Sequence, residues 1–211
     1  MRNRAAADSY FTTGQFNEGV IMANLDFITP QLATGGDLPP NRLDAVRVLQ
    51  EWRALGITHL VDNRFEWNDD DLVAEHCPEI HYLHHGVDDA GQHMPDWWFD
   101  LGTEWVQGAL EDAGAKVLVH CHMGINRGPS LAYACLLMLG HDPIEAMTMI
   151  RSARPIAAIG YAEDALDWFH RTYHVSRSRR LDDRQRLDAW REANWIDVVR
   201  SIREIRATEA A

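Results

Sequence analysis

Four short apolar runs along the chain are typical of buried β-strands. Turn-forming or polar residues bound each of them. They cover residues 25–33, 57–61, 80–87 and 116–119. The first run predicts one or two strands, and the Thr-Gly-Gly-Asp sequence that begins at Thr34 predicts a turn after it.

Between the strands, apolar residues recur at the three- and four-residue steps of amphipathic helices. Helices are predicted at about residues 41–55, 95–113, 131–139, 144–152 and 161–173. Asn41 is expected to cap the first of them. The apolar faces of the first two helices are expected to consist of Leu43, Val46, Leu49 and Trp52, and of Trp98, Leu101, Trp105 and Leu110.

The predicted helix at residues 131–139 is apolar on all sides except for the hydroxyl of Tyr133, which is typical of a buried central helix. Short strands that alternate with helices favour an α/β domain. We expect a central, mostly parallel sheet of about four or five strands with helices on both faces.

The same pattern divides the chain into three parts. Residues 1–24 show little apolar periodicity and predict a loose N-terminal arm, whereas residues 25–175 are expected to form the α/β domain. Residues 176–211 combine many charged residues with apolar residues at helical spacing, which predicts an amphipathic C-terminal helical extension. We expect this helix to pack on its own domain, and a contact with a partner or a second copy is the alternative.

Composition narrows the class of protein. The chain of 211 residues is 46% apolar and 25% charged, which is ordinary for a globular domain, and its net charge of −12 argues against broad binding to nucleic acid or anionic membranes. No apolar run is long enough to span a membrane, and the N-terminus lacks the apolar segment of a signal peptide. Three cysteines, Cys77, Cys121 and Cys135, do not suggest a disulfide framework. The expected location is therefore the cytoplasm.

The main chemical signal follows the strand at residues 116–119. Five residues separate Cys121 from Arg127, and Pro129 lies where a first helical turn tolerates it. Such a loop can curl around a phosphate dianion, so that backbone N–H groups, a helix N-terminus and a guanidinium converge on its oxygens. The same positive field favours the thiolate, which is the nucleophilic form of cysteine. The expected substrate-binding residues are His122, Met123, Gly124, Ile125, Asn126 and Arg127.

Residues on either side of this loop are expected to support it. His120 is expected to be a core imidazole that hydrogen-bonds to the backbone and holds the loop. Ser130 either hydrogen-bonds back toward the loop or is an ordinary first-turn serine. Residues 62–67 follow another strand, and the favoured interpretation is a capped turn with a surface ion pair; a border of the active site is the alternative.

Attack of a thiolate on a phosphate monoester also requires a general acid, because an alkoxide or phenoxide is expelled. Asp88 and Asp89 follow the strand at residues 80–87 in a glycine-containing loop, which suits this role. Histidines on that strand do not predict a metal site, because alternation sends His84 and His85 to opposite faces. Neither a metal nor an organic cofactor is expected.

Residues 120–130 resemble the signature loop of the protein tyrosine phosphatases, in particular the dual-specificity phosphatases, and the likeness extends over about residues 25–173. The resemblance implies a cysteine phosphatase fold, with Cys121 forming a phosphocysteine, Arg127 binding phosphate and Asp89 rather than Asp88 as the acid. Gly128 departs from the family pattern, which mostly has Ser or Thr after the arginine to help the thiolate leave. We therefore expect slow breakdown of the phosphocysteine, and we expect Gly128→Ser to relieve it.

The favoured function is a cysteine-dependent phosphomonoester hydrolase, namely a dual-specificity-type protein phosphatase acting on phosphorylated protein or another phosphomonoester. One alternative is a catalytically impaired module that only reads phosphate, and another is a phosphatase for RNA 5′ phosphates or a phospholipid. A persulfide-forming sulfur transferase would have less need for the arginine before the helix. Residues 122–126 contain no Lys or Arg, which argues against a polyphosphorylated inositol. The sequence leaves phosphotyrosine, phosphoserine and phosphothreonine open.

Overall fold

The computed structural model describes residues 24–209, so the arm predicted at residues 1–24 lies outside the described residues except for Asn24. The central sheet has five strands in the order β1-β2-β5-β3-β4. Their bounds are β1 (Leu25–Phe27), β2 (Leu32–Gly35), β3 (His59–Arg64), β4 (His81–Val87) and β5 (Val117–His120). Only the short β1 is antiparallel to its neighbour within this sheet. The predicted α/β fold with a mostly parallel sheet is therefore confirmed.

Eight helices accompany the sheet in the described part of the chain. They are α1 (Arg42–Ala54), α2 (Asp70–His76), α3 (Asp96–Leu110), α4 (Arg127–Met138), α5 (Pro143–Ala153), α6 (Ala162–Thr172), α7 (Arg177–Ala193) and α8 (Val198–Glu209). Asn41 caps α1 as predicted, since its side chain accepts hydrogen bonds from the N–H groups of Leu43 and Asp44. The sequence pattern does not predict α2, because this helix of seven residues buries only Val73.

Two apolar layers cover the two faces of the sheet. Helices α1 and α2 pack on one face, and α3 to α6 pack on the other, with α4 in the middle. Residues 131–137 of α4 are completely buried, as predicted. The apolar faces predicted for α1 and α3 differ in rotation from the faces that the structure buries. Leu43 and Leu101, both predicted to face the core, are 72% and 54% exposed. Small residues that the pattern of bulky side chains ignores, such as Ala45 in α1 and Gly102 in α3, face the core instead.

The parallel strands bring three loops to one edge of the sheet. β5 lies between β2 and β3, and β4 pairs with the outer side of β3. Their carboxyl ends therefore deliver the segments after Arg64, Val87 and His120 to the same place, where α/β sheets bind ligands. The loops after β3, β4 and β5 carry Glu66, Asp89 and Cys121 in turn.

The C-terminal extension consists of two helices rather than the single helix expected. α7 packs against α5 and α6 and buries Leu187 and Asp183. The Asp183 carboxylate lies 3.1 Å from His170 Nε2 and accepts a hydrogen bond of 2.6 Å from Arg179 Nε. α7 thus packs on its own domain, whereas none of the described side chains of α8 is fully buried. No helix within residues 24–209 has both the length and the apolar character needed to cross a bilayer.

The contribution of α7 to stability can be tested with two leucines of this helix. Leu187→Ala should lower the free energy of unfolding by about 2–5 kcal/mol, because it opens a cavity in a fully buried position. Leu181→Ala is the matched control, since Leu181 is 65% exposed and should change stability by less than about 0.5 kcal/mol. Chemical denaturation measures both. Equal effects would mean that α7 does not pack on the domain in solution.

Candidate active site

The loop between β5 and α4, residues 121–126, is called the Cys121 loop below. Four consecutive carbonyl groups of this loop point away from its interior, toward the surrounding protein. The carbonyl of His122 accepts from Asp37 N at 2.8 Å, and that of Ile125 accepts from Ala158 N at 2.7 Å. Between them, the carbonyls of Met123 and Gly124 both accept from the Arg154 guanidinium, at 3.0 and 2.7 Å.

Outward carbonyls determine where the N–H groups of the Cys121 loop point. The described part of the chain contains no cis peptide, and in a trans peptide the N–H of one residue is opposed to the carbonyl of the residue before it. The N–H groups of residues 123–126 therefore face the inside of the loop, next to the N-terminus of α4. This arrangement is an anion-binding nest.

Gly124 is required by this geometry. Its φ of 64° lies in the left-handed region, and a Cβ added there would meet the Arg154 guanidinium at 2.5 Å and the backbone of Gly35 at 2.6 Å. Arg154 is itself buried and held by Asp26 and Asn24, at 2.8 and 3.1 Å. A side chain at position 124 would thus displace the arginine that holds the loop.

Cys121 and Arg127 stand at the two ends of the loop, and both are almost completely buried, with 2% and 3% exposure. The Cys121 N–H donates to the Gly35 carbonyl at 3.3 Å, which fixes the start of the loop to β2. The Arg127 fork donates to both carboxylate oxygens of Glu66, at 2.8 and 3.0 Å, and also to the Val87 carbonyl at 2.9 Å. Its Nε makes no hydrogen bond to any described residue.

Glu66 is a site residue that the sequence pattern does not single out. The hydrogen bonds from Arg127 lower the pKa of its carboxyl, so it stays ionised and orients the arginine. The favoured interpretation of residues 62–67, a turn with a surface ion pair, is wrong: β3 continues to Arg64, and Asp62 and Arg64 are fully buried. The alternative, a border of the site, describes Glu66. Its position just beyond the carboxyl end of a central strand is the signal that indicates it.

A buried charge cluster lies beneath the Cys121 loop. The Arg64 guanidinium donates to Asp62 at 2.8 and 2.5 Å, to Asp69 at 2.5 Å, and to Asp37. Asp37 connects this cluster to the loop, because its carboxylate lies 3.3 Å from His122 Nδ1 while its N–H binds the His122 carbonyl. The cluster therefore fixes the second residue of the loop.

His120 does not make the hydrogen bond expected of it. Its ring is fully buried, and neither ring nitrogen has a hydrogen-bond partner among the described residues; Asp62 Oδ1 is 3.9 Å from Nε2. Burial lowers the pKa of the imidazole, whose ring packs against Trp52 with 5.6 Å between centroids. The backbone of His120 anchors the start of the loop instead, since its carbonyl accepts a hydrogen bond from Asn63 Nδ2 at 2.9 Å.

The two candidate acids have different surroundings. Asp89 reaches the Cys121 loop: its Oδ1 accepts from Asn126 Nδ2 at 2.6 Å and from the Tyr161 hydroxyl at 2.8 Å, and its Oδ2 is 3.5 Å from Arg127 Nε. Asp88 Oδ1 instead accepts from the Asp89 N–H at 2.8 Å, as a turn residue does. The structure thus brings Asp89, and not Asp88, to the arginine.

The remaining expected residues are Ser130 and the residues within the Cys121 loop. Ser130 hydrogen-bonds toward the loop, since its Oγ donates to Asn126 Oδ1 at 3.3 Å. His122, Met123 and Asn126 are partly exposed at the rim, whereas Gly124 and Ile125 are buried and contribute only backbone to a ligand. No three His, Cys, Asp or Glu side chains within residues 24–209 converge as metal ligands do.

Gly128 allows α4 to begin close to the end of β5. A Cβ at this position would lie 2.9 Å from the Val119 carbonyl oxygen and 3.1 Å from the backbone of His120. These are backbone atoms, which cannot move aside as a flexible side chain can. Gly128→Ser is therefore not the simple addition of a hydroxyl that the sequence suggests, because α4 would have to shift.

Gly128→Ala tests this close approach. We expect it to lower the free energy of unfolding by about 1–3 kcal/mol, as overpacking does. Gly108→Ala is the matched control in a helix: nothing lies within 4 Å of its added Cβ, and it should stabilise the protein by about 0.5–1 kcal/mol. Denaturant titration of both variants gives the comparison, and a neutral Gly128→Ala would show that the helix start is not tightly packed.

Comparison with known proteins places this site in a family. Residues 44–163, more than half of the chain, match the family model described as dual specificity phosphatase, catalytic domain. Dual specificity protein phosphatase 26 of Homo sapiens is 29% identical over 134 residues, which are 62% of this chain and 60% of that protein. Dual specificity protein phosphatase 1 of Mus musculus is 28% identical over 115 residues, which are 52% of this chain but only 28% of that protein.

A solved structure supports the fold assignment. The crystal structure of human DUSP28 superposes with a TM-score of 0.56 at 19% identity, covering 72% of this chain and 97% of that one. The chain spans less than two thirds of the length of the curated relatives named above. Together with the family match, these likenesses show that the chain belongs to the dual specificity phosphatase family.

Proposed function

We propose that this protein hydrolyses phosphomonoesters through a phosphocysteine on Cys121, as a dual-specificity-type protein phosphatase. One observation carries the proposal. A loop with outward carbonyls begins at a buried cysteine and ends at a buried arginine, and Asp89 lies 3.5 Å from that arginine. This arrangement supports a site in which nucleophile, phosphate ligand and acid would meet at one phosphoryl group.

In the first step, the Cys121 thiolate attacks phosphorus opposite the ester oxygen. An S–P bond forms and the P–O bond breaks, and its electron pair stays on the leaving oxygen. Asp89 gives its proton to that oxygen, so that an alcohol or phenol departs. The loop amides and Arg127 bind the equatorial oxygens, where the transition state carries its negative charge.

In the second step, water attacks the phosphocysteine. The Asp89 carboxylate takes a proton from the water, the S–P bond breaks, and its electron pair returns to sulfur as thiolate. Inorganic phosphate leaves, and Asp89 is protonated again for the next turnover.

The surroundings of the loop support a phosphoprotein substrate with an aromatic phosphoester. Trp67 is 46% exposed, and its ring packs edge-on against His122 with 5.3 Å between centroids, which gives the rim a flat apolar wall. Arg154 is committed to loop carbonyls, Asp26 and Asn24, so it offers no free charge for a second phosphate. A panel of phosphopeptides, phosphoinositides and RNA 5′ phosphates, with Cys121→Ser as the blank, tests this assignment.

A second candidate function is a module that binds phosphate without turning it over. Gly128 favours it, because position 128 offers no hydroxyl to stabilise the departing thiolate. One measurement distinguishes the two functions. A phosphatase releases inorganic phosphate from a generic aryl phosphate, and a module that only binds phosphate does not.

Cys121→Ser should abolish turnover of p-nitrophenyl phosphate while a phosphotyrosine peptide still binds, because the nest and Arg127 remain and only the nucleophile is weakened. Steady-state kinetics and calorimetry measure the two properties. Turnover close to that of the unmodified protein would contradict the mechanism.

Asp89→Asn should reduce kcat/KM for phenyl phosphate by a factor on the order of 10² or more, because a poor leaving group needs the proton. The loss should be much smaller with p-nitrophenyl phosphate. Asp88→Asn is the adjacent control and should leave both rates close to normal. The acid would have to be reassigned if Asp88→Asn showed the larger loss.

A further inference from the structure

The two oxygens of the Asp89 carboxylate have unequal surroundings. Oδ1 accepts two hydrogen bonds, from Asn126 Nδ2 at 2.6 Å and from the Tyr161 hydroxyl at 2.8 Å. Oδ2 accepts none from the described residues and lies 3.5 Å from Arg127 Nε. One oxygen is therefore fixed, and the other faces the group expected to hold phosphate.

Tyr161 is held firmly in place. Its side chain is nearly buried, its N–H donates to Ser130 Oγ at 3.2 Å, and its hydroxyl accepts from the Gly91 N–H at 3.3 Å. The hydroxyl thus contacts the loop that carries Asp89 at three points: Asp89 itself, Gly91, and Gln92 Oε1, which at 3.5 Å is the more distant of its two acceptors. Tyr161 connects that loop to the start of α6.

The backbone before Tyr161 is strained in a way that serves this contact. Ile159 has a φ of 54°, a conformation that a β-branched residue rarely adopts, although its side chain is fully buried. The next residue, Gly160, donates its N–H to Asn126 Oδ1 at 2.6 Å. The turn therefore brings two consecutive residues onto Asn126 and Asp89, and strain that persists at such a place suggests a function.

We infer that Tyr161 is a positioning residue for the general acid, and that its hydroxyl occupies Oδ1 of Asp89 so that Oδ2 carries the proton to the leaving group. This role rests on the proposed phosphatase function. In the transfer, the Oδ2–H bond breaks and the proton passes to the ester oxygen, which keeps the electron pair of the broken P–O bond. Tyr161 neither gains nor loses a proton.

The state of the hydroxyl is consistent with this role. Burial, together with the hydrogen bond to Asp89, raises the pKa of Tyr161 to about 12. The hydroxyl therefore stays protonated near neutral pH and can donate throughout the catalytic cycle. A phenylalanine in its place keeps the ring and removes only the donor.

Leaving-group dependence tests the inference. Tyr161→Phe should lower kcat/KM for phenyl phosphate, which reports formation of the phosphocysteine, by about tenfold or more, as expected for loss of a hydrogen bond to the negative charge that Asp89 acquires when it gives up its proton. With p-nitrophenyl phosphate, whose leaving group hardly needs the acid, kcat/KM should fall by less than about threefold. In the Asp89→Asn background, Tyr161→Phe should cause no further loss with phenyl phosphate.

Tyr173→Phe is the matched control, since Tyr173 lies at the other end of α6 and is 48% exposed. This variant should leave kcat/KM unchanged for both substrates. Equal losses in kcat/KM with both substrates, or an equally large further loss in the Asp89→Asn background, would overturn the positioning role and leave the proposed phosphatase function standing. No turnover by the unmodified protein above the Cys121→Ser blank would overturn the proposed function, and this inference with it.

Discussion

The site depends on four backbone carbonyls that must point away from it. If those of residues 122–125 faced inward, they would repel a phosphate. Facing outward, they need donors, because a buried carbonyl without a hydrogen bond costs about 1–3 kcal/mol. The donors come from three separate places, namely Asp37 after β2, Arg154 at the end of α5, and Ala158 beyond it. Much of the chain around the sheet edge is therefore positioned by the need to hold one short loop open.

The buried charges under the loop also help to hold it in place. Burying Arg64 with carboxylates around it is costly unless every group is well hydrogen-bonded. Here each nitrogen of the guanidinium has an acceptor, and Asp62 also accepts from the Tyr82 hydroxyl at 2.5 Å. One of these acceptors, Asp37, donates its own N–H to the loop. The cluster thus links β3 to the loop through a continuous set of hydrogen bonds.

The sequence predicted the parts of the site that depend on local spacing. Cys121 and Arg127 lie in one loop, and strand-loop-helix geometry brings their surroundings together without knowledge of the rest of the chain. Glu66 and Tyr161 come from distant segments and touch the site only because of strand order and of a strained turn at Ile159. His120 was misassigned for a related reason. Its neighbours Asp62 and Trp52 are separated from it by more than fifty residues, so no local pattern reveals that its ring has no hydrogen-bond partner among the described residues.

Gly128 lets α4 begin close to β5, but it provides no hydroxyl that could hydrogen-bond to the thiolate. Without a Cβ, the start of α4 approaches the end of β5, so the positive end of the helix dipole lies close to the Cys121 loop. The lost hydroxyl is not replaced by Ser130, whose Oγ already donates to Asn126 and accepts from the Tyr161 N–H. In the proposed mechanism, the groups among the described residues that are left to stabilise the departing thiolate are the helix start, the loop amides and Arg127. Because the same groups are proposed to bind the phosphate, the second chemical step would depend on the same contacts as substrate binding.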